Sequence, residues 1–397
     1  RRGRALALLV VGAAMTVAAA RIWSRWSLPA AVNDSRAATG PGPADVDALV
    51  RALPARARGT PHPRETRRAA DVASAFARER TNAAPGAWIA AGDRTPWVVV
   101  APGPLGSWDD FKIDSPVVRR APDGTFTMWF RGCRFSGGVY GCGVGRATSA
   151  DGVAWTIRPQ PVFVPADPYD RAHLTAIAVA ASPREYRLWY SVDASWTNGR
   201  RPATVYMARS ADGVAWTSPS RVYTGVAPSR PLFPAAAFAA GAFHVWLVDS
   251  RSPLDPTTNR FPPMPPEGDE MLLHFISSDN GALTAEGGVP IERLRIDPLP
   301  MSIVALDSGG FRALLYEQHP IGATRQGFAV LRSPDGTTWE RRDDEGMPFG
   351  VGNLGSRVVP VSIAALDAPA ALLGWIVQRD RRGADSIVAA FRRDVAR

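Results

Sequence analysis

Short apolar runs recur along the chain, each paired with an aromatic run that follows it. "SPVVRR", "TAIAVAA", "PAAAFAA", "PMSIVAL" and "RVVPVSIAA" each lead through a turn into "FTMWFRG", "YRLWYS", "FHVWLVDS", "RALLYEQ" and "ALLGWIVQ". A third run then leads into a turn containing glycine. Runs this short, bounded by turn residues, read as strands. The turns themselves repeat. "ATSADGVAWT" at 147–156 returns as "ARSADGVAWT" at 208–217 and as "LRSPDGTTWE" at 331–340. A weaker copy, "ISSDNGALTA" at 276–285, has Leu283 where the others have Trp.

The shared element is an Asp followed four positions later by a large apolar residue: Asp151/Trp155, Asp212/Trp216, Asp279/Leu283 and Asp335/Trp339. A further pair, Asp93/Trp97, lies upstream in "GDRTPWVVV". Asp-Gly and Asn-Gly supply the positive backbone angles of a tight turn, and the Trp opens the next strand. Each unit therefore has four antiparallel strands, and five units occur in series. That is the pattern of a five-bladed β-propeller. The last unit, 356–397, has three strands and no Asp-Trp pair. The segment at 93–100 has the pair but no strands before it. The reading is that this N-terminal strand completes the last blade and protects its edge. The repeated Asp and Trp are then turn and packing residues.

Charge separates the chain into parts. Residues 1–87 hold 14 Arg against 6 Asp and Glu, nearly all of the net charge of +9. The basic balance therefore belongs to a tail, and no nucleic-acid partner is expected. The tail opens with "RRGR" before an apolar run from Ala5 to Ala20, ending in small residues. Residues 1–26 have the layout of an export signal. An uncleaved membrane anchor also fits, with Trp23 and Trp26 beside Arg21 and Arg25 at the interface. Residues 27–87 read as a basic Ala/Pro/Arg-rich linker with short helices near 45–53 and 66–80. Residues 88–397 are the propeller. The expected location is extracytoplasmic and the expected state monomeric. The two cysteines, Cys133 and Cys142, flank the connection between the second and third strands of the first blade. Export favours a disulfide between them.

In a propeller the first strand of each blade lines the central channel. Polar residues at those strand starts are Asp114, His173, Arg230, Asp297 and Arg357. The ends of the second strands add Arg131, Asp193, Asp249 and Glu317. Long loops, notably 249–270, and Trp196 would wall the same mouth. Five polar residues at matched positions point to a ligand site in this funnel. No nucleotide loop or zinc motif occurs, and no cofactor or metal is expected.

"KIDSPVVRRAPDGTFTMWFRG" followed by "RATSADGVAW" resembles the five-bladed propeller glycosidases, the arabinanase and β-fructosidase group, and related glycoside phosphorylases. The resemblance covers about residues 108–397 and is best in the first two blades. It implies a carbohydrate-active enzyme, hydrolase-like or a phosphorylase, with carbohydrate as ligand and Asp114 as the general base or catalytic carboxylate. The family's second Asp and its acid Glu are replaced here by His173 and by Ser229-Arg230. Glu317 and Asp249 are the substitutes for a second carboxyl, with Glu317 as the acid. His173, Arg230 and Arg357 are expected to hold substrate or an anion, as basic residues hold phosphate in the phosphorylases. Arg131 and Asp249 complete the binding set. The alternative reading is a catalytically inactive carbohydrate-binding or protein-interaction propeller of the cell envelope.

Overall fold

The computed structural model describes residues 88–393, apart from 91–97, 137–138, 153, 194–200, 227–228, 251–269, 291–301, 307, 318–324, 343–346, 351–358, 369–370 and 380–384. The signal or anchor segment, the linker and its two expected helices lie outside the described residues. So do Asp93, Trp97, Trp196, Asp297 and Arg357. Among the described residues no helix is long and apolar enough to cross a membrane.

In chain order the strands begin with β1 (Trp88–Ala90) and β2 (Val98–Val100). The first sheet follows: β3 (Lys112–Arg120), β4 (Phe126–Ser136), β5 (Val139–Ser149) and β6 (Thr156–Ile157). A short helix, α1 (Pro168–His173), precedes the second sheet: β7 (Leu174–Ala181), β8 (Tyr186–Val192), β9 (Thr204–Ser210) and β10 (Ser220–Thr224). The third sheet holds β11 (Arg230–Ala239), β12 (Ala242–Ser250), β13 (Glu270–Ser277) and β14 (Leu283–Pro290). The fourth holds β15 (Ser302–Ala305), β16 (Phe311–Glu317), β17 (Arg325–Ser333), β18 (Glu340–Arg341) and β19 (Met347–Gly350). Last come β20 (Val359–Ala368), β21 (Ala371–Arg379) and β22 (Asp385–Arg393).

Within each sheet, strands adjacent in sequence pair antiparallel, as expected for propeller blades. Three sheets have four strands and two have five. The departure from four has one cause: the outer strand is interrupted. In the fourth sheet β18 and β19 pair successive stretches of β17. In the last sheet β1 pairs residues 390–392 of β22, and β2 pairs 387–388. The N-terminal segment thus adds to the last sheet in two pieces, 88–90 and 98–100, where the sequence reading places one strand at 93–100. The first strands of the sheets are neighbours in turn: β3 with β7, β7 with β11, β11 with β15, β15 with β20, and β20 with β3.

The core lies between sheets. Trp129, Val144, Leu188 and Tyr190 belong to one buried cluster, Trp189, Val245 and Leu247 to a second, and Trp246, Val248 and Leu331 to a third. Alternation along each strand produces this, because one face meets the preceding sheet and the other the next.

The repeated phrase has a specific job in this packing. Ser149, Ser210 and Ser333 each accept a bond from the glycine N–H of their own turn, at 2.9, 2.9 and 2.7 Å. The Asp carboxylates then accept N–H groups further on, as Asp212 does from Val214 and Ala215. Gly152, Gly213 and Gly336 sit at φ of 76, 69 and 84°, a conformation that favours glycine. The turn carbonyl is used as well. Trp129 of the first sheet donates to the Gly213 carbonyl of the second at 2.9 Å. Trp246 of the third donates to Gly336 of the fourth at 2.7 Å. Where the phrase weakens to "DNGAL", the bond is missing. The Trp189 indole N–H is buried without an acceptor. Buried Arg187 instead bridges to the third sheet, donating to Ser277 Oγ at 3.1 Å and to the Ser278 carbonyl at 2.6 Å.

Cys133 and Cys142 form a disulfide across the directly paired β4 and β5.

A methyl group on Gly213 would stand 2.7 Å from the Trp129 ring. Gly213→Ala is therefore expected to destabilise the protein by about 2–4 kcal/mol, from left-handed backbone strain plus overpacking. Gly141→Ala, where nothing lies within 4 Å, is the control and should change little. Urea unfolding midpoints measure both; a Gly213→Ala variant as stable as the control would refute the contact.

Candidate functional site

Asp114 stands near the start of β3, directly opposite Arg131 of β4. Both are buried. Arg131 grips the carboxylate with two nitrogens: Nε donates to Oδ1 at 2.6 Å and Nη2 donates to Oδ2. Lys112 Nζ lies 2.8 Å from the same Oδ2. Ser115 Oγ, on a residue with φ of 49°, donates to Oδ1 at 3.2 Å. Burial alone would raise the acid's pKa. The charges of Arg131 and Lys112 outweigh it and hold the carboxyl far below the usual carboxylate range.

Arg131 also ties the first sheet to the second, through Nη1 to the carbonyl of Leu174. One residue earlier, the His173 carbonyl accepts the backbone N–H of Asp193 at 3.0 Å. Asp193 Oδ2 accepts from Arg230 Nη2 at 2.6 Å, which joins the second sheet to the third. Asp249 closes the series. Its Oδ1 accepts the Ser229 hydroxyl at 2.6 Å and the Arg230 backbone N–H at 2.9 Å. Asp114, Arg131, His173, Asp193, Arg230 and Asp249 are thus linked through three sheets, all at the ends where first strands begin. The Asp-Gly turns lie at the other end, as the pairing of Phe126 with Ser149 requires.

Two placements differ from the sequence reading. His173 is the last residue of α1 and precedes β7. Its ring lies 4.5 Å from that of Tyr169. It is half-buried, and burial lowers its pKa while Asp193 opposes this. Arg230 does not match Asp114 in register either. The ladder slips just after Asp114 and again just after Leu232, with Ser115 and Phe233 at φ of 49 and 47°. Leu232 therefore occupies the position of Asp114, and Arg230 lies two residues before it. A bulge of this kind moves every later side chain and leaves no mark in spacing alone. Glu317 ends β16, its backbone opposite Gly327. Its side chain, like the whole of Arg357, lies outside what is described.

Sequence reasoning missed Lys112, although period-2 alternation puts it on the face of Asp114. It also missed Asp170 in α1, a buried carboxyl. Burial and then Asp167 raise its pKa, against the pull of Arg201. The helix itself was legible in "ADPYDRAH", where Asp167 caps by accepting the Tyr169 N–H at 2.8 Å and Pro168 opens the first turn. Among the described residues no group of three His, Cys, Asp or Glu side chains is placed to hold a metal ion.

The strand order and the circle of first strands define an all-β propeller of antiparallel blades. No family model matches the chain, and no curated protein matches it. Solved structures do. One, described as belonging to a family of mannoside phosphorylases that contains glycoside hydrolases targeting β-1,2 mannosidic linkages in Candida mannan, superposes with a TM-score of 0.51. Identity is 13%, over 78% of this chain and 94% of that one. A second, described as a glycoside hydrolase, gives 0.53 at 12% identity, over 77% and 95%. Sucrose-6-phosphate hydrolase from Lactobacillus gasseri gives 0.50 at 13%, over 83% and 64%. The chain has the fold of these propeller glycoside hydrolases and phosphorylases.

Arg131→Ala would leave Asp114 buried without its main counter-charge. Removing one partner of such a pair is expected to cost about 3–5 kcal/mol at neutral pH. In the parent, the depressed Asp114 pKa adds stability that is present above the unfolded carboxyl's pKa and lost as pH falls through the folded value. That acid sensitivity should shrink in the variant. Unfolding curves at neutral and acid pH test this; equal stability of variant and parent would show that the pair holds nothing.

Proposed function

We propose that the protein is an extracytoplasmic, carbohydrate-active propeller enzyme, glycoside hydrolase-like with a phosphorylase mode open to it. It would bind a glycan in the funnel at the end of the ring where the first strands begin. The observation that carries this reading is Asp114, a buried carboxylate on the first strand of the first sheet, clasped by Arg131 and Lys112. The likeness of fold to glycoside-acting enzymes supports the substrate class. The Cys133–Cys142 disulfide supports an oxidising compartment.

In this reading Asp114 stays ionised across the working pH range. A carboxylate of such low proton affinity makes a weak general base. It is better suited to stabilise the positive charge of an oxocarbenium-like transition state or to orient the nucleophile. Glu317 is the proposed acid, with His173, Arg230, Arg357, Arg131 and Asp249 as the binding set. A second reading, sugar binding without turnover, is favoured by one fact: Arg131 and Lys112 already occupy both oxygens of Asp114.

The ring is proposed to comprise five blades, closed by the N-terminal segment as the outer strand of the last. The pairing of β1 and β2 with β22 and the circle of first strands support this. Deleting residues 88–104 should lower the melting temperature far more than deleting 1–80; equal effects would rule closure out.

For the function, a panel of manno-, arabino- and fructo-oligosaccharides is tested by thermal shift and by product release. Asp114→Asn should keep binding and lose turnover by about 10²–10³-fold. Binding without turnover in the parent would select the second reading. Parent-like turnover by Asp114→Asn would move the site elsewhere.

A further inference from the structure

Three aromatic rings gather at the end of the first sheet where β3 begins. Phe111 immediately precedes β3, Phe135 lies near the end of β4, and Tyr140 lies near the start of β5, directly opposite Phe135. Their centroids are close: 5.6 Å from Phe111 to Phe135, 5.6 Å from Phe111 to Tyr140, and 4.8 Å from Phe135 to Tyr140. The rings are tilted against one another by 39, 57 and 48°. Phe111 is 40% exposed and Phe135 38%, whereas among the described strand residues Trp129, Phe130, Trp189, Tyr190 and Trp246 are buried.

The support beneath them is rigid. Two positions inward from the Phe135–Tyr140 pair, Cys133 and Cys142 are cross-linked. The Cys133 carbonyl accepts the Phe111 N–H at 3.1 Å. Tyr140 packs against the buried cluster that holds Trp129, Val144 and Tyr190, while Phe111 and Phe135 stay exposed.

We propose that Phe111, Phe135 and Tyr140 form a stacking subsite for one sugar ring of an oligosaccharide whose chain continues for at least two further units to reach Asp114, beyond what a disaccharide held at Asp114 can span. This deepens the glycan reading above and rests on it. The C–H face of a pyranose or furanose is flat and apolar and matches an aromatic face, while its hydroxyls stay in water. Size argues against a protein partner. Two Phe rings exposed to this degree present on the order of 150 Å², against about 800 Å² per partner in a stable protein interface. Position argues for the sugar. Phe111 is three residues from Asp114, roughly 10 Å of extended chain, the span of a short oligosaccharide rather than a monosaccharide.

The test compares di- and tetrasaccharides of β-mannan, arabinan and fructan by calorimetry on the full chain. The variants are Phe135→Leu and Tyr140→Leu, which keep apolar volume and lose the ring, and Phe135→Trp, which keeps a ring. The parent is expected to bind a tetrasaccharide more tightly than its disaccharide. Each Leu variant should weaken the tetrasaccharide about tenfold and leave the disaccharide unchanged, while Phe135→Trp retains parent affinity. Leu variants that bind the tetrasaccharide like the parent would overturn the subsite and leave the glycan reading standing. A parent that binds no sugar of either length would overturn both. Binding of the parent to neutral phospholipid vesicles, lost in Phe135→Leu and without sugar binding, would assign the rings to a membrane surface instead.

Discussion

The indole N–H of one sheet, donated to the turn carbonyl of the next, is the contact on which the arrangement of sheets depends. A propeller blade pairs its strands internally but has no backbone ladder to its neighbour. Something directional must fix the angle between blades, because apolar packing alone is not directional. Trp129 to Gly213 and Trp246 to Gly336 supply it. The contact explains why Asp, Gly and Trp travel together. Ser and Asp cap the turn so that its carbonyl is presented, and glycine lets the backbone take the positive angle and the indole come close. Where the phrase decays, the burden moves to Arg187, which spans the same junction with a charged side chain stacked 4.3 Å from the Phe243 ring.

At the other end of the strands, charge does the corresponding work. Arg131 and Arg230 each leave their own sheet to reach a neighbour, one to the Leu174 carbonyl and one to Asp193. Buried ions are held only when paired, so each arginine there has a carboxylate that answers it. This pairing fixes positions at the first-strand ends without filling them with apolar side chains. It also favours one protonation state: the charges of Arg131 and Lys112 hold the Asp114 carboxyl far below the usual carboxylate range. On the proposed reading, such paired charges would pre-organise this end of the ring for polar ligands.

Much of this was legible in the residues. The recurring turn phrase and the aromatic second strands mark the sheets, and the cysteine pair on one hairpin marks the disulfide. What was not legible came from single-residue events. The matching bulges just after Asp114 and Leu232 show which residues of β3 and β11 are equivalent, and by them Arg230 falls two residues before the position of Asp114; spacing along the chain carries no sign of this. The outer strand of two sheets comes in two pieces, β18 and β19 along β17 and β1 and β2 along β22, which the lengths of the apolar runs do not announce. The clasp of Arg131 on Asp114 needed the antiparallel register of β3 and β4, although both residues stood out as polar groups at strand ends. Lys112 and α1 carried readable signals, alternation in one case and an Asp-Pro cap in the other.

Where a sugar binds is the most direct test of a ligand site at the first-strand ends. A crystal structure with the tightest-binding oligosaccharide should show it at the first-strand ends, with one unit within hydrogen-bond distance of Asp114 or Arg131. A sugar bound at the end carrying the Asp-Gly turns, or at neither end, would contradict it.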